Sequence, residues 1–509
     1  MGARVPLAHI APRFITQRRS LMRNRFLALA TLLAWPSTAL ADETHSNHFR
    51  YGQRALGMGG ALTAVVGDTE ATWYNPAGLA FVSGAVFSGS IQFYGFDERV
   101  VNGALRSPDA PQSDAESTTF LPAPSSSVIS KEFIRPDANG VGGVVIALST
   151  FVGSAQEESL SARQATPTEL DGLAAIDTRF TSKQIADRIL HTGPTVAWRP
   201  ADRIAVGASL FYVRRDQSTH QRGGVVTRQE GTGRLDEVNP SQFLDTYSQT
   251  EVADGALQGK LGLLWTPTPR WTVGFAASTP SLPLHGDGQV TYTLTTSGRP
   301  DHPREDRRYP AQLQVDARDI DARTEYPWRL AVGLAYAPTA RFSLAADVTL
   351  QGAIDYRRLK LDAATEGLVA NHFVNDVTLN TCINAALGLE AWLSPGTVFR
   401  AGAFTNRSAA PDIPETADAP MFADVDLYGV TMSIGFKGDD RAVNMGAEFQ
   451  WGDGDDLVLD DVRNQWTPAF SRAARTHQRV LFFVSGAMDF VKKAAKRIVD
   501  ERDPSARAP

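Results

Sequence analysis

Beyond about residue 82 the apolar residues recur with a period of two, not the 3.6 of a helix, which predicts strands with one greasy face. After Arg270, one face carries Trp271, Val273, Phe275 and Ala277 and the other Thr272, Gly274, Ala276 and Ser278. Phe342, Leu344, Ala346, Val348 and Leu350 oppose Ser343, Ala345, Asp347, Thr349 and Gln351 in the same way. Tyr428, Val430, Met432, Ile434 and Phe436 oppose Gly429, Thr431, Ser433 and Gly435. Alternation alone fits a soluble sandwich with a buried greasy face as well as a barrel whose greasy face meets lipid.

Connection lengths separate the two. Fourteen segments carry the pattern, near 83–96, 126–135, 141–152, 188–198, 203–215, 255–266, 270–279, 328–337, 341–353, 378–393, 397–406, 425–437, 442–451 and 478–488. Every second connection is a tight turn, at 136–140, 199–202, 267–269, 338–340, 394–396 and 438–441. The others are long and rich in Asp, Arg, Thr, Pro and Gly. An even strand count with long and short connections alternating is the pattern of an outer-membrane barrel, with short turns in the periplasm and long connections such as 214–254 and 280–327 outside. The bilayer interior offers backbone groups no water, so such a sheet must close on itself. The fold expected is all-β, a transmembrane antiparallel β-barrel of fourteen strands.

The N-terminal stretch adds export. Residues 1–41 hold Arg23 and Arg25, an apolar run over 26–35, Pro36 and the small-residue site Ala39-Leu40-Ala41, the layout of a signal peptide cleaved before Asp42. Met22, just before the basic pair, is an alternative start. The overall charge of −6 includes six arginines in this stretch and no acid, so the remainder is about twice as acidic and ill suited to nucleic acid. After Ala41 no apolar run is long enough for a transmembrane helix, and Cys382, the sole cysteine, allows neither an intrachain disulfide nor a lipid at the cleavage site. The chain thus divides into a signal peptide at 1–41, a segment at 42–82 ahead of the first strand, the barrel at 83–490, and a tail at 491–509 with Lys492, Lys493, Lys496 and Arg497.

The segment before the first strand carries a motif. Residues 54–80 read Arg-Ala-Leu-Gly-Met-Gly-Gly-Ala-Leu-Thr-Ala-Val-Val-Gly-Asp-Thr-Glu-Ala-Thr-Trp-Tyr-Asn-Pro-Ala-Gly-Leu-Ala. Glycines permit backbone conformations and close packing denied to other residues, and an Asn-Pro step ends a helix. By themselves these residues fit a turn leading into the first strand. Their order and placement resemble the N-terminal hatch of the FadL-type long-chain fatty acid transporters, with Gly57, Gly59, Gly60, Asp68, Asn75, Pro76 and Ala77 at the matching positions. Residues 193–200 and 330–336 also look like that family, whereas the roughly twenty residues after Phe490 depart from the aromatic end of a typical barrel-assembly signal. The resemblance implies a plug inside the lumen and uptake of hydrophobic molecules such as long-chain fatty acids. It also implies a greasy capture site on the third and fourth outer loops, where Phe243, Leu244, Leu282 and Leu284 fall, and sideways release at a kinked third strand.

Candidate chemistry narrows the function further. The nine histidines show no metal spacing, no Gly-x-Ser-x-Gly elbow is present, and only His191 falls inside a predicted strand, so neither an enzyme nor a cofactor is expected. Lys260, Arg329 and Arg400 point inward with Asp347, Glu390 and Glu448. They fit a salt-bridge network lining a wet lumen, or a base that pairs with a substrate carboxylate while Phe211 and Trp392 hold its tail. For exit, each methylene returned to water costs about 0.8 kcal/mol, so release into the bilayer is favoured. Gly142 and Gly143 in the third strand and Pro194 in the fourth predict a wall gap there, facing residues 75–77. Expected partners are the hydrophobic molecule or fatty acid, outer-membrane lipid and the barrel-assembly machinery, with the barrel a monomer. The alternative reading is an accessory or secretion-system partner built on a similar barrel, without transport.

Overall fold

The computed structural model describes residues 43–45, 50–65, 67, 69–107, 110–119, 122–170, 172–229, 241–297, 311–461 and 469–489. The signal segment, Asp68 and the basic tail lie outside them. Fourteen strands form the barrel. They are β1 (Ala85–Ser107), β2 (Pro122–Ile134), β3 (Val144–Leu170), β4 (Leu173–Ala201), β5 (Ile204–Gln229), β6 (Ser241–Thr268) and β7 (Trp271–Ser278). The second half comprises β8 (Arg329–Thr339), β9 (Phe342–Gln351), β10 (Cys382–Ser394), β11 (Thr397–Asn406), β12 (Asp424–Lys437), β13 (Arg441–Asp461) and β14 (Ala469–Asp489). Each pairs antiparallel with its chain neighbour, and β14 pairs with β1 from Val86–Asp489 to Val101–Arg475, which closes the ring of fourteen strands.

The pleat sorts the side chains as a lipid-facing barrel requires. Leu261, Leu387 and Met432 point outward and are 62%, 60% and 58% exposed, while the inward Arg400 and Glu448 are 5% and 2% exposed. Burial is inverted relative to a soluble protein, so bilayer rather than water covers the outside.

The outer connections differ from expectation, because most are strands rather than loops. The β3–β4 ladder runs from Val144–Trp198 to Leu170–Leu173, and β5–β6 from Ile204–Trp265 to Arg228–Ser241. A further strand, Leu282–Ser297, pairs with β6 and with Ala311–Asp321, and Ala110–Thr119 folds back on β1. Above the bilayer neither face of these strands meets lipid, so the greasy alternation fades; the strands are held by backbone hydrogen bonds, polar cross-strand pairs such as Arg222–Asp245 and small buried cores around Leu160 and Leu244.

Candidate functional site

Inside the barrel the chain before β1 forms a compact hatch, with helices α1 (Gln53–Gly57) and α2 (Ala71–Tyr74) and a 3-10 turn, Pro76–Phe81. Asn75 organises it: its Oδ1 accepts from the Ala77 N–H at 3.2 Å, and its Nδ2 donates to Thr63 O at 2.7 Å and to Leu263 O of β6 at 3.1 Å. Pro76 takes the first position of the turn, where a missing N–H costs nothing. Gly59 and Gly60 have φ of +65° and +88°, and a Cβ on Gly59 would press on the Ala403 backbone. Here the chain turns hard against the wall, as only glycine readily allows.

One face of the hatch is fastened by charge. Arg50 pairs with Glu448 at 2.9 Å and lies over the Phe404 ring, and Arg54 pairs with Glu390 at 3.1 Å, which also holds Arg400 at 2.7 Å. Asp347 Oδ2 accepts from the Leu62 and Thr63 N–H groups, both at 2.8 Å. Thr431 Oγ1 accepts from Gly59 N–H and donates to Gly57 O. Burial pulls the Arg50 guanidinium below its ordinary range, and Glu448 opposes that pull.

The opposite face is aromatic. Trp73 of α2 sits edge-on to Tyr51, with centroids 5.0 Å apart, and 5.2 Å from Phe151 of β3. It also meets His191 of β4 at 4.9 Å and Phe211 of β5 at 6.2 Å. Next to these rings opens a cavity of about 110 Å³ lined by Trp73, His191, Phe211, Lys260, Tyr326 and Arg329. Lys260 donates to Trp73 O and lies 4.7 Å from its ring, with no carboxylate partner among the described residues. The buried His191 Nδ1 and Tyr326 Oη have no hydrogen-bond partner among the described residues either. Burial raises the Tyr326 phenol well above its ordinary pKa, so it remains a donor. The rings share the wall with polar side chains, Glu325, Gln258 and Gln351 among them, so the cavity can take an apolar body that carries a polar group.

No protein-family model matches this chain, and no curated protein matches its sequence. Solved structures do match. A FadL homologue of Pseudomonas aeruginosa superposes with a TM-score of 0.55 at 13% identity, covering 89% of this chain and 100% of its own. The P. putida toluene transporter TodX gives 0.51 at 15% identity, over 87% of this chain and 99% of TodX. A deltaS2S3 mutant of the TodX monoaromatic hydrocarbon channel gives 0.52 at 15%, over 86% and 99%. The chain has the fold of the FadL-type outer-membrane β-barrels.

Within this FadL-type barrel the residues singled out from sequence scatter. Phe211, Lys260 and Arg329 meet at the cavity. Arg400 goes to the ion pairs under α1, where it also donates to Asn444 at 3.2 Å, and Trp392 lies near the short-turn end beside Lys437. Leu244 is buried in an outer core with Val252, Val290, Tyr292 and Leu294, whereas Leu282 and Leu284 are exposed. Phe243 pairs with Ser297 and Leu282 with Leu257, so these apolar residues occupy opposite ends of one long strand pairing rather than a single patch. Trp73, Tyr51, Phe151 and Tyr326 escaped sequence reading, because only the hatch's insertion brings them together.

The expected gap between β3 and β4 is absent, since their ladder continues through Leu148–Pro194 and Ser149–Gly193. Pro194 shows its missing donor on its other side: the β4–β5 ladder steps from Thr192–Tyr212 to Thr195–Ser209 without a change of register. Gly142, with φ of +79°, and Gly143 belong to the turn before β3, not to a bulge within it. Residues 75–77 press on Gly207 of β5 and Gly262 of β6 rather than on β3 and β4. Among the described residues the ladder is interrupted one seam earlier. Between Ser126–Phe151 and Glu116–Ser161 no ladder pair joins β3 to the strand before it among the described residues. There β2 is bulged at Ser125, pairing Ser90–Ser126 and then Ile91–Pro124, and Pro122 and Pro124 have no N–H to donate. Tyr51 of the hatch donates to Val152 O at 2.6 Å at the foot of this break.

Proposed function

We propose that the chain carries hydrophobic molecules inward across the bacterial outer membrane, long-chain fatty acids or small aromatic compounds among them. The molecule descends between the outer strands, lodges its apolar body against Trp73 and Phe211, and offers a polar group to Lys260, His191 or Tyr326. Release is sideways, through the unpaired stretch between β2 and β3, into the bilayer. One observation carries this reading: the ring cluster beside the cavity includes Phe151, the last residue of β3 paired to β2 before the break. A void of about 150 Å³ lined by apolar side chains holds benzene, so a cavity of about 110 Å³ suits a ring or the end of a chain. The names of the solved FadL-type structures, which include a toluene transporter, agree with that class.

The test compares uptake of a radiolabelled fatty acid and of toluene by cells with and without the barrel. Ser278→Phe, which fills the cavity, is expected to abolish both binding and uptake. Pro122→Thr with Pro124→Thr, which restores two N–H donors to β2, is expected to slow uptake while binding persists. Uptake at the unmodified rate in both variants would refute the proposal.

A further inference from the structure

The outer wall from β8 to β11 is not uniformly greasy. Ala346, Ala401 and Ala403 face outward among larger neighbours, Leu334 pairing with Ala346, Ala346 with Leu387 and Leu387 with Ala403 across the strands. The result is an apolar groove of about 550 Å³ on the lipid side. Trp271 and Tyr336, stacked with centroids 4.3 Å apart, border it toward the short turns. On the lumen side Gly388 and Gly402 lie against Met58 of the hatch, so the wall behind the groove is braced.

The turns beneath this groove repeat a sequence. Residues 267–271 read Pro-Thr-Pro-Arg-Trp and residues 338–342 read Pro-Thr-Ala-Arg-Phe. In both, the threonine hydroxyl accepts from the N–H of the arginine two residues on, Thr268 from Arg270 at 3.4 Å and Thr339 from Arg341 at 3.3 Å. Neighbouring backbone pins them further, Ala337 N–H donating to Arg270 O and Trp392 N–H to Arg341 O, each at 2.8 Å. The two arginines open β7 and β9, two strands apart and so about 10 Å from each other. Both are exposed, and neither guanidinium pairs with a carboxylate among the described residues.

We propose that groove and arginines together bind one anionic glycerophospholipid of the inner leaflet, with an acyl chain along the alanines and its phosphate between Arg270 and Arg341. In a bilayer the apolar matter available to fill the groove is acyl chain, and the stacked Trp and Tyr mark headgroup depth at its lower end. The guanidinium fork matches phosphate geometry, and two unpaired cations on adjoining turns favour a lipid of net negative charge. The short turns face the periplasm in barrels of this type, which selects the inner leaflet.

The barrel, reconstituted at low density in phosphatidylcholine with a minor fraction of brominated phosphatidylglycerol, reports binding through quenching of Trp271, taken as the difference between the unmodified chain and Trp271→Phe. Quenching is expected well above that of a random mixture. It should fall about tenfold in enrichment in Arg270→Gln with Arg341→Gln, whose exposed side chains leave the fold intact. Ala346→Phe with Ala403→Phe should lower it with both arginines present. Phosphatidylglycerol retained through purification, weighed by native mass spectrometry, should follow the same order. Equal enrichment in the unmodified chain and both variants would overturn the proposal, as would a stable homodimer that shields Trp271 and so assigns the groove to a second copy.

Discussion

The two faces of the hatch hold to the barrel by different physics. Toward β9–β13 it is fixed by Arg50–Glu448, Arg54–Glu390 and the Asp347 carboxylate, buried groups that tolerate one geometry because any displacement leaves a charge unpaired. Toward β3–β6 the contact is mostly ring against ring, with a few hydrogen bonds such as Tyr51 to Val152 O and Asn75 to Leu263 O. Aromatic contact is far less directional, and an incoming apolar molecule can replace it provided that Lys260, which donates to Trp73 O here, keeps an acceptor. The charged face is therefore the anchor, and the aromatic face is the part a ligand can compete for. The interruption of the ladder among the described residues lies on the aromatic side.

This contrast can be broken at either face. The largest effect is expected from Glu448→Leu, which leaves Arg50 buried without its carboxylate and should weaken hatch docking by about 3–5 kcal/mol. Hydrogen exchange over residues 50–65 should then accelerate; exchange as slow as in the unmodified protein would show that charge is not the anchor. Trp73→Ala should cost less, about 2–3 kcal/mol, because one side of the ring already borders the cavity. Its faster exchange should be confined to residues 69–82, and a spread to 50–65 would show that the two faces act as one unit. Tyr51→Phe, which keeps the ring and removes its hydrogen bond to Val152, should cost about 1 kcal/mol. Uptake should rise or hold if this bond latches the break shut, whereas a fall as deep as that of Trp73→Ala would mean that Tyr51 builds the pocket.

Legibility varied with the solvent around each element. Where strands cross the bilayer, one face must be greasy and the other polar or small, so Trp271 to Ser278 and Phe342 to Gln351 could be placed from period-two alternation alone. The outer parts of β3 to β6 could not, because above the bilayer no face has to be greasy, and their few buried apolar residues, such as Leu160 and Leu244, are too sparse to set an alternation. A gap at β3–β4 does not appear in the ladder there, while an interruption among the described residues lies one seam earlier, for a related reason. Pro194 was rightly seen to lack a donor, but which neighbour a strand's missing donor faces depends on pairing, and it faced β5 rather than β3.

By itself, then, the sequence determined a closed barrel of fourteen strands, its tight turns, and a glycine-rich segment ahead of β1, because each follows from local periodicity or from a residue's own backbone limits. Only the tertiary structure decided the pocket. Trp73, Phe151, His191, Phe211, Lys260 and Tyr326 come from the hatch, from the four strands β3 to β6 and from the connection before β8. No short-range pattern links them, and the insertion of residues 50–82 into the lumen is what brings their rings and unsatisfied polar atoms to one place.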